Sequence, residues 1–252
     1  MKRFFPLIIV FFVTVQAMFV ISCKTSRMSK TAALYDTLYT SQDNRGVLLE
    51  LVFEKGKSHN YPLMAVWVTD TSYNYLQTLY VAESIAKGVF RYGETSAGKW
   101  LPGERRRPAA LPVWAHSRGV KEDDGWYVPT VKTPVADAYT GATPSGNFVL
   151  NSRLKDNIPP IFDIYFEINQ TWDWNEFWTN NKYPDDEEYK TSSQPSLVYK
   201  ARINITEQYG QYELKLTGHG HYSGKDGNIY PGLSTFTTAL DITRWVYVTV
   251  KQ

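Results

Sequence analysis

Short runs in which apolar and polar residues alternate recur along this chain from residue 46 onward. The clearest run is 161–168, whose even positions are all apolar and would share one face of a strand. Further strand candidates lie at 46–53, 63–68, 76–81, 148–150, 197–205, 211–217 and 245–250. Short strands separated by turn residues are typical of antiparallel sheets. The pattern predicts an all-β fold, an immunoglobulin-like antiparallel β-sandwich formed by a single domain over 46–252.

Two long segments interrupt the strand pattern. The first, 88–134, is rich in glycine, proline and charge, and its stretch 108–116 has room for one or two helical turns. The second, 172–196, is polar and aromatic and contains the acidic run 185–188. Loops of this length are uncommon in compact domains and are usually functional or mobile. We therefore predict two long loop insertions, with the acidic run and the basic triplet 105–107 in contact with solvent.

A long apolar run, 4–21, follows a basic start, and the chain turns polar directly after Cys23. Such a start, an apolar stretch and a small residue before the cleavage point make up a secretory signal. The tetrad Val-Ile-Ser-Cys that ends at Cys23 resembles the bacterial lipobox, whose cysteine becomes the lipidated N-terminus. The resemblance implies a signal peptide over 1–22 and a lipidated, polar tether over 23–45. A transmembrane anchor is the alternative, because the run approaches the roughly 20 residues of a span.

The predicted lipid anchor places the protein outside the cytoplasm, on a lipid bilayer. The residue after Cys23 is not the aspartate that commonly retains lipoproteins at the inner membrane. We therefore expect the periplasmic face of the outer membrane in a bacterium with two membranes. In a bacterium with one membrane, we expect the outer face of the cell membrane.

Composition excludes several functional classes. The net charge of +2 is small, and the triplet 105–107 is the only basic cluster, so nucleic acid is not a predicted partner. Cys23 is the only cysteine, and its lipidation would exclude disulfides, thiol catalysis and cysteine metal sites. No nucleophile, base and orienting group occur together, so the enzyme class is less favoured than a binding or carrier protein.

The segment 137–146 has the most unusual sequence, Asp-Ala-Tyr-Thr-Gly-Ala-Thr-Pro-Ser-Gly. It resembles the acceptor motif of bacterial flavin transferases of the ApbE type, which reads Asp, two variable residues, Ser or Thr, Gly, Ala, then Ser or Thr. The matching residues are Asp137, Thr140, Gly141, Ala142 and Thr143. The resemblance implies that the Thr143 hydroxyl carries FMN through a phosphoester, while Pro144 departs from the family pattern.

Residue chemistry allows two interpretations of this segment. Gly141 would permit the positive backbone angles that expose a neighbouring hydroxyl, and Pro144 would stiffen the chain after Thr143. The alternative is a simple tight turn that leads into the strand at 148, because glycine, proline, threonine and serine are common turn residues.

A wider resemblance rests on the order of several segments along the chain. These segments are 62–70, 111–114, 140–144, 165–169 and 218–224. Together they resemble a family of predicted periplasmic proteins of unknown function that accompany PepSY-type membrane proteins and ApbE-type flavin transferases. The resemblance implies a part in electron transfer outside the cytoplasm, with a flavin transferase and a PepSY-type membrane redox protein as partners.

Two pairs of residues are further candidates for a ligand surface. His219 and His221 would point to one face of an extended segment, but two ligands are too few for a metal site, and we expect exposed imidazoles in a glycine-rich turn. Trp172 and Trp174 could stack a sugar or a flavin ring, or could fix the insertion to the sandwich. A non-catalytic glycan- or protein-binding lipoprotein is therefore the alternative to a flavin-carrying or accessory electron-transfer module.

Overall fold

The computed structural model describes residues 34–94, 98–99, 101–136, 140–206 and 210–251. The predicted signal peptide, Cys23 and Asp137 lie outside the described residues. The strands are β1 (Tyr35–Thr40), β2 (Leu48–Lys55), β3 (Leu63–Thr69), β4 (Tyr75–Ala82), β5 (Val89–Glu94), β6 (Leu101–Glu104), β7 (Thr140–Gly141), β8 (Asn147–Arg153), β9 (Ile161–Asn169), β10 (Leu197–Asn204), β11 (Gln211–Glu213), β12 (Lys215–His219) and β13 (Thr243–Lys251). The helices are α1 (Glu83–Lys87), α2 (Pro112–Ser117), α3 (Tyr189–Ser192) and a 3₁₀ helix at Thr238–Asp241. Within these described ranges, every helix is too short or too polar to cross a membrane.

Two mixed sheets form the sandwich. One has the strand order β1-β8-β2-β13-β11 and the other has the order β12-β10-β9-β3-β4-β7. Neighbouring strands are antiparallel except for the parallel pairs β1–β8 and β4–β7, and β5 and β6 form a separate hairpin. The predicted all-β sandwich is confirmed. The immunoglobulin-like part of that prediction is not specifically confirmed, since both sheets are mixed rather than purely antiparallel.

The main core lies between the two sheets. The even positions of β9, predicted to share a face, are all buried there: Phe162, Ile164, Phe166 and Ile168. Strand register places Phe166 between Val66 of β3 and Tyr199 of β10, so that one row of side chains crosses the sheet. Complete burial of a large apolar side chain contributes about 1.5–3 kcal/mol to the stability of the fold. Because all four of these side chains lie on one face of β9, that face packs against the core between the sheets.

A second apolar layer covers the other face of the six-stranded sheet. Here Trp67 and Tyr165, at odd positions of β3 and β9, pack with Trp114 of α2. The covering residues come from α1 and from the predicted insertion 88–134, whose expected helical turns are α2. Because β3 is buried at every position, its sequence is a continuous apolar run rather than an alternating one.

Part of the predicted tether is a strand. Residues 35–40, assigned to the tether over 23–45, form β1 and pair in parallel with β8 along their whole length. The prediction was wrong here because β1 is an edge strand with mostly exposed side chains and so lacks a clear apolar face. It is held by backbone pairing and by the Thr40 hydroxyl, which donates to the Leu79 carbonyl at 2.7 Å.

The predicted strand 211–217 is divided between the two sheets. Its first part is β11, which pairs with β13, and its second part is β12, which pairs with β10. Leu214 lies buried at the crossing, and its N–H donates to the Val246 carbonyl at 2.9 Å. The predicted alternation of apolar and polar side chains is correct, but such alternation does not determine which of the two sheets a strand joins.

Candidate functional site

The predicted flavin-acceptor segment lies at the edge of the six-stranded sheet. Its first described residues form β7, which runs parallel to the end of β4 with Gly141 opposite Ala82. The chain then crosses to the other sheet and enters β8. In the crossing, Pro144 is buried, Thr143 is half-buried and Ser145 is exposed. The predicted acceptor hydroxyl therefore belongs to a turn that is anchored on both sides.

Tyr80 of β4 fixes this turn from the core. Its ring is fully buried, and its hydroxyl is shared between the carbonyls of Gly141 and Ala142, at 3.3 and 3.2 Å. Burial raises the pKa of Tyr80, so the phenol remains a hydrogen-bond donor. Gly141 lies so close to this ring that a Cβ would come within 3.2 Å of it. The sequence predicted a positive φ at Gly141, and this prediction is wrong. Glycine is needed here because the backbone lies so close to the Tyr80 ring.

His219, at the end of β12, is part of a cluster of aromatic rings. Its ring centroid lies 5.0 Å from that of Phe236 and 5.5 Å from that of Tyr230. Its Nδ1 lies 2.8 Å from the Gly220 carbonyl, which assigns a hydrogen to that nitrogen. His219 is half-buried rather than exposed as predicted, and this burial lowers the pKa of its imidazole.

His221 is linked to His219 through Tyr230, whose ring centroid lies 5.5 Å from that of His219 and 6.1 Å from that of His221. Its ring is 4.5 Å from that of Tyr222, which in turn stacks on Tyr183 at 4.1 Å. The Ser223 N–H donates to His221 Nδ1 at 3.1 Å, and burial lowers the pKa of this imidazole as well. Among the described residues, no group of three or more His, Cys, Asp or Glu could hold a metal ion.

Trp172 packs against the first insertion. The Arg107 guanidinium lies 5.1 Å from the Trp172 ring and 4.3 Å from that of Phe90. Arg107 is only 8% exposed and burial lowers its pKa to about 10, so the predicted solvated triplet is wrong at this residue. Trp174 keeps 44% of its surface exposed. The described ring contacts join neither tryptophan to His219 or His221, so the four residues do not form one contiguous stack.

Among the described residues, the carboxyl with the most strongly raised pKa was missed by the sequence analysis. Glu167 of β9 is fully buried and accepts hydrogen bonds from the N–H groups of Val113 and Trp114 and from the Ser196 hydroxyl, at 3.2, 2.8 and 2.6 Å. Burial raises its pKa to about 7. Leu111 at the N-cap of α2 cannot accept from these first N–H groups, and Glu167 takes that role. The available signal was the presence of two acids, Asp163 and Glu167, within a strand of apolar residues.

Comparison with protein family models, with curated proteins and with solved structures finds no match to this chain.

Proposed function

We propose that this protein is a lipid-anchored, extracytoplasmic β-sandwich that carries FMN on Thr143 and takes part in electron transfer outside the cytoplasm. The observation that supports the proposal is the anchored turn around Thr143. Tyr80 holds the carbonyls before this residue, and buried Pro144 follows it. Thr143 is thus a half-buried residue on a fixed backbone at the sandwich edge.

Attachment requires an activated flavin. A flavin transferase would pass the FMN phosphoryl group of a flavin dinucleotide to Thr143 Oγ1. The new P–O bond replaces the bond between the two phosphates, nucleoside monophosphate leaves, and the hydroxyl proton is released. No electrons are exchanged in this step. Redox chemistry would come from the bound flavin, and the protein would supply its position toward a PepSY-type membrane partner.

The test is intact mass and visible absorbance of the full chain, co-expressed in the periplasm with a flavin transferase. We expect a covalent FMN adduct in the wild type and in Ser145→Ala, a matched change of an exposed hydroxyl two residues away. Thr143→Ala should carry no adduct. A colourless wild type, under conditions that modify a known acceptor, would overturn the proposal, and so would an adduct that persists in Thr143→Ala.

The lipid anchor is tested separately. Cleavage before Cys23 and acylation of that residue should place the wild type in the detergent phase of a phase separation. Cys23→Ala should move the protein to the aqueous phase or leave it uncleaved, because the acyl chains supply the membrane affinity. A wild type whose intact mass shows no acyl groups on Cys23, or a cleaved Cys23→Ala protein that still enters the detergent phase, would contradict lipidation at Cys23.

Exposure of Trp174 favours the second candidate, a non-catalytic glycan- or protein-binding lipoprotein. A colourless protein whose binding to a glycan array is lost in Trp174→Ala would support that function instead of flavin carriage.

A further inference from the structure

The chain enters the sandwich at one of its two ends. Tyr35 begins β1 beside Asn147 of β8, and its hydroxyl donates to Glu54 Oε1, near the end of β2, at 2.8 Å. Strand register places Trp245 of β13 opposite Glu54. The entry point therefore lies in the same row of strand ends as the end of β2 and the start of β13.

The connection between β2 and β3 is fixed at this end. The Gly56 N–H donates to the Ile242 carbonyl at 2.8 Å. The Asn60 N–H donates to Gln170 Oε1 at 2.7 Å. Tyr61 follows with a φ of +48°, which is costly for a bulky residue, and its side chain is 70% exposed. The fold thus keeps an aromatic ring in contact with solvent at the entry end.

Further aromatic and cationic side chains are exposed at this end. Trp245 keeps 48% of its surface exposed, and three cations beside it are exposed as well. We call this set of residues the entry rim: Lys55, Lys57, Tyr61, Arg244 and Trp245. Tryptophan and tyrosine are enriched at membrane–water interfaces, and lysine and arginine are attracted there by anionic lipid headgroups. The composition of the entry rim is therefore typical of a surface that meets lipid.

Charge differs between the two ends of the sandwich. The part of the predicted tether before β1, 24–34, has three basic residues and no acid: Lys24, Arg27 and Lys30. With the entry rim this makes six cations, and three acids adjoin the rim: Asp36, Glu54 and Asp241. β3 and β8 run away from this end, so the described loops of the opposite end include 41–47, 70–74 and 154–160. Those loops have two cations and three acids. The entry end is therefore the more positive one.

We propose that the entry rim lies on the anionic phospholipid bilayer that holds the lipid on Cys23. This inference rests on the proposed lipid anchor and is independent of flavin attachment. Eleven residues separate Cys23 from Tyr35, and a chain of that length spans at most about 40 Å. The anchor therefore keeps the entry end near the bilayer. The two aromatic rings of the rim would enter the headgroup region, and its three cations would face lipid phosphates.

This orientation bears on the Thr143 turn. The turn leads directly into Asn147, whose side-chain oxygen accepts from the Lys55 N–H at 3.0 Å. A flavin on Thr143 would consequently lie at the membrane-facing end of the domain, where a redox partner embedded in the same bilayer can approach it.

The test measures the acetylation of individual lysines by a water-soluble reagent in the mature, acylated protein. Mass spectrometry of peptides compares Lys57, in the rim, with Lys155, an exposed lysine of the opposite end. On vesicles that contain phosphatidylglycerol, we expect Lys57 to react about fivefold more slowly than in neutral detergent, and Lys155 to react at an unchanged rate. On vesicles of phosphatidylcholine alone, the slowing should be smaller. Equal slowing on both kinds of vesicle would overturn the assignment to anionic lipid.

Intact mass separates the possible failures. A mature protein without acyl groups would overturn the lipid anchor and this inference together. An acylated protein in which Lys57 and Lys155 respond equally to the vesicles would overturn the inference alone. The FMN adduct enters neither outcome.

Matched tyrosine variants locate the contact. Tyr61→Ala should raise the rate at Lys57 on phosphatidylglycerol vesicles about two- to threefold, because one of the two interfacial rings is lost. Tyr73→Ala should leave that rate unchanged. Tyr73 is the appropriate control because it is 69% exposed and also has a positive φ, of 70°, in a turn of the opposite end. Equal effects of the two substitutions would refute the assignment to the entry rim, and circular dichroism confirms that each variant is folded.

Discussion

Ionisation of Glu167 should weaken the fold as the pH rises, and Glu167→Gln tests this expectation. The carboxyl is fully buried under α2, where it accepts hydrogen bonds from Val113, Trp114 and Ser196. Burial raises its pKa from 4.5 to about 7. In the folded protein the group is therefore neutral up to about neutral pH, whereas in the unfolded chain it ionises in mild acid.

The size of the effect follows from this shift. A rise of the Glu167 pKa from 4.5 to about 7 means that folding favours the neutral carboxyl over the carboxylate by about 3.4 kcal/mol. Because the folded-state pKa is the higher one, the stabilisation is fully present below pH 4.5 and is lost as the pH rises through about 7. Between about pH 5 and pH 8, this group alone should lower the free energy of unfolding by about 2.5 kcal/mol.

Urea unfolding followed by tryptophan fluorescence, at several pH values, measures this difference. Glutamine cannot ionise, but its amide cannot accept from the N–H groups of both Val113 and Trp114. The variant should therefore be about 1–3 kcal/mol less stable near pH 5 and should regain that difference by about pH 8. Glu176→Gln, a change of an exposed acid, should follow the wild type throughout. A constant difference between wild type and Glu167→Gln over this range would refute the reasoning, because it would mean that Glu167 binds its proton equally well in the folded and the unfolded chain.

Two further pairs of variants test the packing by chemical denaturation. Ile164→Ala, in the core, should lower the free energy of unfolding by about 2–5 kcal/mol, whereas Ile161→Ala, at the exposed end of the same strand, should change it by less than about 0.5 kcal/mol. Gly224→Ala should cost at least about 1 kcal/mol more than Gly119→Ala, because both glycines have a positive φ but only at Gly224 would the new Cβ collide with the Pro108 carbonyl. Equal costs within either pair would contradict these packing arguments.

Strands that bury one or both faces were predictable from the sequence, and strands that depend on backbone pairing were not. The alternation of β9 and the apolar run of β3 each carry a burial signal. β1 offers no such signal, since it is an edge strand with one aliphatic residue, Leu38. The split at Leu214 was also unpredictable, because the alternation of side chains continues while the pairing partner changes from β13 to β10.

The same distinction applies to the candidate sites. The Thr143 turn is a contiguous motif, so it could be found in the sequence, although the role of Tyr80 beneath it could not. A cleft beside α2 is lined by Trp67, Tyr73 and Tyr165, which come from two strands and one turn. Only the register that sets Trp67 opposite Tyr165 brings them together, and a slip of one residue would turn one ring into the core. A site of this kind is fixed by pairing between distant segments, and hence the residues that form it carry no common signal in the sequence.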